Sequence, residues 1–402
     1  MNTDKGYNRL QHEVVMAQTK VRMAMVGGGE GAFIGAVHRI AARLDNQIEL
    51  VAGCFSSQAG RSRAMAAELG ISADRCYDSY QQLFAAEARL PPQQRIEFVA
   101  IVTPNHLHFP VAQAALLAGF HVLSDKPATL SLDEALQLKA LVQQTGLHYG
   151  LTHTYAAYPM VRQARLLVQQ GHLGAVRRVA VSYPQGWLAD KADSDGSAQA
   201  QWRLDPARAG ISGCFADIGT HAFQLAEHIT ALQVTELSAD LAKVVDGRVL
   251  DDDGSALLRF NNGARGTLLA SQVCAGMGNG LQISVYGELG SLSWQQEQPN
   301  QLLLQLRGQP QQVWQAGSDS AYLDPQVRAC CRTPAGHPEG YLEAFANIYR
   351  DFALTLRQTT AGNLAAGIDE AVRGMAFVQA AVASSRQNAA WTSLTGQQNF
   401  TG

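Results

Sequence analysis

Charge of either sign is scarce in this sequence, and what there is nearly cancels: 31 lysines and arginines face 34 aspartates and glutamates in 402 residues. A formal charge of -3 leaves no basic footprint for a phosphate backbone, so a nucleic-acid partner is not expected. Long apolar runs are missing too, which excludes a bilayer-spanning helix and a membrane partner. Cysteine is sparse and ill-spaced: Cys54, Cys76, Cys214, Cys274, Cys330 and Cys331 contain no C-x-x-C pair. The adjacent Cys330-Cys331 suit an ordinary bridge poorly, and six reduced thiols point to a cytoplasmic protein. No set of ligands at zinc-site spacing occurs, so no metal is expected. Residues 1–20 are polar, without the apolar core of a signal peptide, and read as a loose leader.

What is present is hydrophobic residue, 47% of the chain, enough at this length for two or three cores. Residues 21–26 form a short apolar strand that runs into Gly27-Gly28-Gly29-Glu30-Gly31-Ala32, and 34–43 carry a helical pattern. Glycines at such a turn let backbone N–H groups approach a pyrophosphate, and the helix N-terminus favours the anion. Gly27-x-Gly29-x-x-Ala32 satisfies the dinucleotide fingerprint in its relaxed form, with Gly28, Phe33 and Ile34 beside it; a tight turn without a ligand reads the same. After the next strand, 48–55, an acidic residue would grip the adenosine ribose and repel a 2′-phosphate. Ser56-Ser57 stand there instead, with Arg61 and Arg63 on the following helix. Both NAD and NADP stay open, and plain solvated arginines are the alternative.

A helix at 79–87 and a strand at 98–102 lead to Thr103-Pro104-Asn105-His106-Leu107-His108. Thr103 and Pro104 would floor the nicotinamide ribose, and Asn105 would cap the helix reaching 118. The strand at 121–123 ends in Ser124-Asp125-Lys126-Pro127. A lysine at the carboxyl end of a parallel strand sits where open α/β sheets bind ligands, and the proline makes a cis bond accessible. An ordinary surface turn uses the same residues. With a helix at 131–145 and a strand at 148–152, the alternation predicts a Rossmann domain over 21–152, a doubly wound parallel sheet.

Gly27 to Ala32, Thr103-Pro104-Asn105-x-x-His108 and Asp125-Lys126-Pro127, in this order, resemble the Gfo/Idh/MocA family of NAD(P)-dependent sugar oxidoreductases. The family's usual tripeptide is Glu-Lys-Pro, so the carboxylate of Asp125 is one methylene shorter. The resemblance implies an active-site role for Lys126 and places Asp125 and His108 with the cofactor, NAD or NADP.

Further on, Asp217 and His221 are four apart and would share a helical face. They can form a proton-handling couple in which Asp217 raises the imidazole's affinity for a proton, a structural pair, or half of a metal site. Asp217-x-Gly219-x-His221 resembles the family's second motif, with Trp202-Arg203 upstream and Ser212-Gly213-Cys214 where three glycines are usual. The resemblance then implies His221 as acid/base, Lys126 as its partner and Asp217 as the carboxylate that orients substrate. Tyr155 would hold a neighbouring hydroxyl.

Strand-like runs at 176–183, 257–260, 266–270, 282–286, 291–294 and 302–306 alternate with turn signals such as Asn261-Asn262-Gly263. They predict a C-terminal α+β domain over 153–402, with a large, mostly antiparallel open sheet. The resemblance implies that this sheet builds a homodimer or homotetramer. The polar linker 190–201 reads as a mobile loop at the mouth of the site. His337 and Tyr341, at the start of a helix reaching 356, are candidates to read substrate hydroxyls, with a cap and a core tyrosine as the alternative. A helix over 369–385 should return to the first domain.

The expected reaction is hydride transfer between a nicotinamide and a carbinol carbon of a sugar, polyol or sugar derivative. Two other readings stand beside it. One is an NAD-dependent glycosidase working by oxidation, elimination, water addition and re-reduction. Arg177, Arg178, Lys191 and Arg203 at the mouth would suit it to an anionic glycoside such as a sulfosugar. The other is a nicotinamide-binding regulator without catalysis.

Overall fold

The computed structural model describes residues 20–190, 205–359 and 366–394. Apart from Lys20 and Asp190, the expected leader and linker lie outside the described residues, as do Trp202 and Arg203.

Five strands, β1 (Val21–Gly27), β2 (Ile48–Cys54), β3 (Phe98–Val102), β4 (His121–Ser124) and β5 (Tyr149–Leu151), form an all-parallel sheet ordered β2-β1-β3-β4-β5. Their unbroken apolar composition follows from burial on both faces; β3 is buried at every position. One face carries α1 (Phe33–Leu44) and α2 (Ala59–Glu68). The other carries α3 (Tyr80–Glu87), α4 (His108–Leu117) and α5 (Leu132–Thr145). The first face is completed by a helix from far down the chain, Tyr341–Leu356. Its Phe345, Ile348, Tyr349 and Phe352 join Met23, Met25 and Phe98 in one core.

Register decides where the site forms. Val26 lies beside both Cys54 and Ile101, and Ile101 beside Ser124. The turns that follow these strands therefore open at one edge of the sheet, the edge where α/β folds take ligands.

The second sheet has nine strands in the order β13-β12-β11-β10-β6-β9-β8-β7-β14. They are β6 (Val176–Pro184), β7 (Val234–Ala242), β8 (Asp253–Phe260), β9 (Arg265–Ser271), β10 (Gln282–Gly287), β11 (Gly290–Gln295), β12 (Gln301–Leu306), β13 (Gln312–Gln315) and β14 (Thr392–Ser393). All neighbours are antiparallel except β6 and β9, which run parallel. Burial alternates along β8, so one face is packed and the other open. The packed face meets α6 (Pro159–Gln169) and the helices Thr220–Thr230 and Ile368–Arg386. The last of these also lies against α5, the contact expected of it.

Candidate active site

The glycine turn is built for close backbone approach. Gly27 and Gly28 have positive φ of 87° and 69°, and a Cβ on Gly27 would stand 2.6 Å from the Val102 carbonyl oxygen. A Cβ on Gly29 would strike the carbonyl oxygen of Phe55, and one on Gly35 would lie 2.4 Å from the Gly28 Cα. Ala32 precedes α1 without a side-chain cap, which leaves the first-turn N–H groups of Phe33 and Ile34 unclaimed by side chains. Arg39 clamps the turn from below, donating to the Gly28 carbonyl at 2.5 Å. These residues fit a pyrophosphate. At the end of β2 the Ser56 Oγ accepts from the Gln58 N–H, while Ser57 and Arg61 are exposed and Arg63 is paired with Asp78.

Asn105 does not cap a helix. It opens a short 3-10 turn, Asn105–Leu107, and α4 begins only at His108. His108 is buried and pins two turns together, its Nδ1 lying 2.6 Å from the Pro127 carbonyl and its Nε2 2.9 Å from that of Thr103. The Thr103 hydroxyl is buried with no partner, a polar atom waiting for one at this edge. The Lys126-Pro127 bond is cis. Asp125 is held by the Thr152 hydroxyl at 2.8 Å and accepts the Lys126 N–H at 2.9 Å.

From that turn Lys126 crosses to the second lobe. Its Nζ donates to Asp217 Oδ1 at 2.5 Å and to the Asp217 carbonyl at 2.8 Å. Asp217 sits in a π-helical turn, Phe215–Gly219, whose start is fixed by Asp251 accepting from the N–H groups of Gly213 and Phe215. Asp217 Oδ2 also accepts from Gln272 Nε2 at 2.9 Å. The wider turn corrects the simple picture of two side chains stacked four apart. Among the described residues, the hydrogen-bonding neighbour of the His221 ring is His153, with their Nδ1 atoms 3.4 Å apart. His221 is buried, and burial, then Lys126 and His153, hold its proton affinity well below the usual imidazole range. Asp217 acts in the expected direction but is outweighed.

Aromatic hydroxyls gather beside His221. The Tyr155 ring stands 4.8 Å from that of His221, and its hydroxyl bonds that of Tyr183. Tyr183 donates to Asn279 Oδ1 at 2.6 Å, Asn279 Nδ2 donates to Tyr155, and Gln185 also reaches Asn279. Burial pushes both phenols up, Tyr183 the more strongly, so they remain proton donors. Tyr341 packs its ring on Tyr155 at 6.4 Å.

His337 is not brought to this group. It is exposed on the turn before the helix, while Glu339 is buried and braces that turn by accepting from the Thr333 N–H. Arg177 and Arg178 are exposed at the opposite end of β6 from Tyr183, roughly 17–20 Å away at 3.3 Å per residue. They do not line the mouth. His153, Tyr183, Gln185, Gln272, Asn279, Gly35 and Arg39 were not singled out in the sequence. Only Gly35 left a local signal, a glycine inside a helical pattern.

Residues 21–153 match the oxidoreductase family with an NAD-binding Rossmann fold, and residues 161–293 match the GFO/IDH/MocA C-terminal domain. An uncharacterised oxidoreductase, YfiI of Bacillus subtilis, is 36% identical over 92% of this chain and 96% of its own. An inositol dehydrogenase homologue from Azotobacter vinelandii, solved with NAD+, superposes with a TM-score of 0.88 at 36% identity, covering 93% of this chain and 97% of that one. The same homologue has been solved with NADH and myo-inositol, at a TM-score of 0.85, 35% identity and the same coverage. An oxidoreductase from Sinorhizobium meliloti is 43% identical, with a TM-score of 0.84 over 93% of this chain and 99% of that one.

Proposed function

The chain belongs to the Gfo/Idh/MocA oxidoreductases and carries their NAD-binding Rossmann domain, and on that premise we propose that it dehydrogenates a secondary alcohol of a polyol or sugar. The observation that carries this reading is the meeting of Lys126 with Asp217 at 2.5 Å, beside His221, at the edge where the glycine turn opens. The likeness to a protein crystallised with NADH and myo-inositol supports the substrate class.

Bound NAD would supply the hydride acceptor, held by the Gly27–Gly29 turn and the first N–H groups of α1, with Thr103 and Pro104 beneath the nicotinamide. The protein's own task is to place a hydroxyl and remove its proton. His221, kept neutral by burial, has a ring lone pair free to accept that proton. The Lys126 ammonium, oriented by Asp217, offers positive charge to the oxygen as the proton leaves. Tyr155, Tyr183 and Asn279 hold neighbouring hydroxyls, with Tyr341 backing Tyr155. Ser56 and Ser57 in place of a carboxylate leave room for NADP beside NAD. The open face of the nine-stranded sheet, with Leu257 exposed on it, is where two copies would join.

Polyols, sugars and nitrophenyl glycosides, read by both reduced-nicotinamide absorbance and phenolate release, test the reaction. Net nicotinamide reduction is expected, and phenolate release without it would favour the glycosidase. Lys126→Ala and His221→Ala should each lower turnover more than ~100-fold with NADH binding intact. Full activity in both would remove the assigned roles.

A further inference from the structure

We propose that His153 is a positioning residue that fixes the tautomer of His221, so that Nε2, the ring nitrogen that does not face His153, is bare and able to take a proton. The inference rests on the dehydrogenase reading and deepens it. His153 lies two residues past the end of β5, and its N–H donates to the Leu151 carbonyl at 2.9 Å. It opens the short turn Thr154–Ala157, so its backbone has little freedom. Its ring is buried, 5.2 Å from that of His221 and at 88° to it. Perpendicular rings can still direct both in-plane Nδ1 positions along one line, and these atoms stand 3.4 Å apart.

A neutral imidazole has one N–H and one lone pair. Between two facing Nδ1 atoms there is room for one hydrogen, so the pair has two arrangements. With the hydrogen on His153, His221 keeps its own on Nε2 and has nothing there to offer a hydroxyl proton. With the hydrogen on His221 Nδ1, its Nε2 is bare and His153 carries its hydrogen on Nε2. Turnover requires the second arrangement, because only then does His221 Nε2 carry a lone pair for the hydroxyl proton, and the Nδ1–H bond to His153 is what holds that tautomer. The step then balances simply. The hydroxyl O–H bond breaks, the Nε2–H bond forms, the electron pair stays on oxygen, and Nδ1–H remains directed at His153. The imidazolium so formed meets a lone pair at His153, in a setting where the Lys126 charge opposes it and Asp217 only partly offsets that opposition. Asp217, which the i,i+4 spacing suggested for this task, is engaged by Lys126 and Gln272.

Ring-nitrogen NMR of the full-length, 15N-histidine-labelled protein with NAD+ added reads the tautomer without any substrate. Signals are assigned by their loss in His221→Phe and His153→Phe. The expected result is His221 with Nδ1 protonated and Nε2 bare. The same state is expected in His153→Asn, whose amide oxygen supplies an acceptor, and loss of that preference in His153→Phe. On the substrate that the polyol and sugar screen identifies, His153→Phe should lower kcat about tenfold or more, with KM and NADH affinity within about threefold of wild type. His153→Asn should recover most of the rate. A hydrogen found on His221 Nε2 in the wild type overturns the proposal, as does a wild-type kcat in His153→Phe. Equal losses in both variants with a raised KM also overturn it, since they mark packing alone. A fully active His221→Ala would instead sink the base assignment beneath it, which the NMR result does not depend on.

Discussion

Gly35→Ala tests the nucleotide cradle without removing a single functional group. Gly35 lies in the first turn of α1, directly over Gly28, where a Cβ would stand 2.4 Å from the Gly28 Cα and 2.7 Å from its carbonyl oxygen. Carbon–carbon contacts rest at about 3.5–4.0 Å, so α1 and the glycine turn must part by roughly 1 Å. Helix propensity pulls the other way, since alanine is favoured over glycine by about 1 kcal/mol. Overpacking costs about 1–3 kcal/mol where side chains can shift. Here both colliding partners are backbone, so the steric effect wins. Nor can α1 retreat freely, because Val37 and Ala41 are packed in one core with Phe345 and Tyr349, and Arg39 ties the helix to Gly28. NADH affinity, titrated by its own fluorescence, should weaken about 5- to 150-fold, the equivalent of that steric cost. The urea midpoint should fall as well. Gly60→Ala in α2, where a Cβ meets nothing within 4 Å, is the control, with NADH affinity unchanged and stability equal or about 0.4–1 kcal/mol higher. A Gly35→Ala protein that binds NADH like wild type and unfolds at the same urea concentration would refute the close approach of α1 to the turn.

Acid should destabilise the fold through its buried imidazoles. Burial chiefly holds His38 down to about 4, and His153 and His228 to about 3, against an ordinary value of 6.5. Their unfolded forms take up protons below that value while the folded rings do not. Stability is therefore complete above it and lost as pH falls toward 4, each ring adding a slope of about 1.4 kcal/mol per pH unit; level urea midpoints from about pH 7 to 5 would contradict this. Glu87 is fully buried and accepts from Arg75 Nε at 2.7 Å, Arg75 Nη2 at 2.8 Å, Tyr77 and the Ile96 N–H, so Glu87→Ala should cost about 3–5 kcal/mol in urea unfolding. A loss under about 1 kcal/mol would mean that the cluster relaxes. Leu257→Arg on the open sheet face should lower the mass seen by light scattering to that of one chain, and an unchanged mass would move the subunit contact elsewhere.

The parts of the site that were legible in the sequence are those made by short spans of chain. A glycine turn between strand and helix, Thr103-Pro104 after β3 and Asp125-Lys126 after β4 each announce themselves because parallel order places successive strand ends at one edge. The aromatic wall gave no such sign. Tyr183 and Gln185 meet Asn279 because β6 pairs antiparallel with β10, which begins just after Asn279. β9 runs parallel to β6, pairing Pro184 with Ser271, and it packs against the turn Phe215–Gly219, which brings Gln272 beside Asp217. Alternation of apolar residues reveals a strand but says nothing of its neighbour, and the one parallel pair in an otherwise antiparallel sheet is the arrangement it would least suggest. The relation of Asp217 to His221 escaped for a different reason. Counting by four assumes an α-helix, and the π turn at Phe215–Gly219 alters which faces meet.

The bridge between the lobes is better understood as an orienting device than as a fastening. Lys126 and Asp217 are partly exposed, at 17% and 23%, and an ion pair in such a setting returns little after desolvation. The lobes are held by other means. Phe345, Tyr349 and Phe352 are almost wholly buried against the Rossmann strands, and each such side chain contributes about 1.5–3 kcal/mol. With docking secured there, the pair is free to serve direction. Lys126 binds both the carboxylate and the carbonyl of Asp217, so it fixes the π turn itself and, through it, the start of the helix that carries His221. The amine, the carboxylate and the imidazole thus share one frame, and that frame exists only when a turn at residue 126 and a turn at residue 217 have both folded and met.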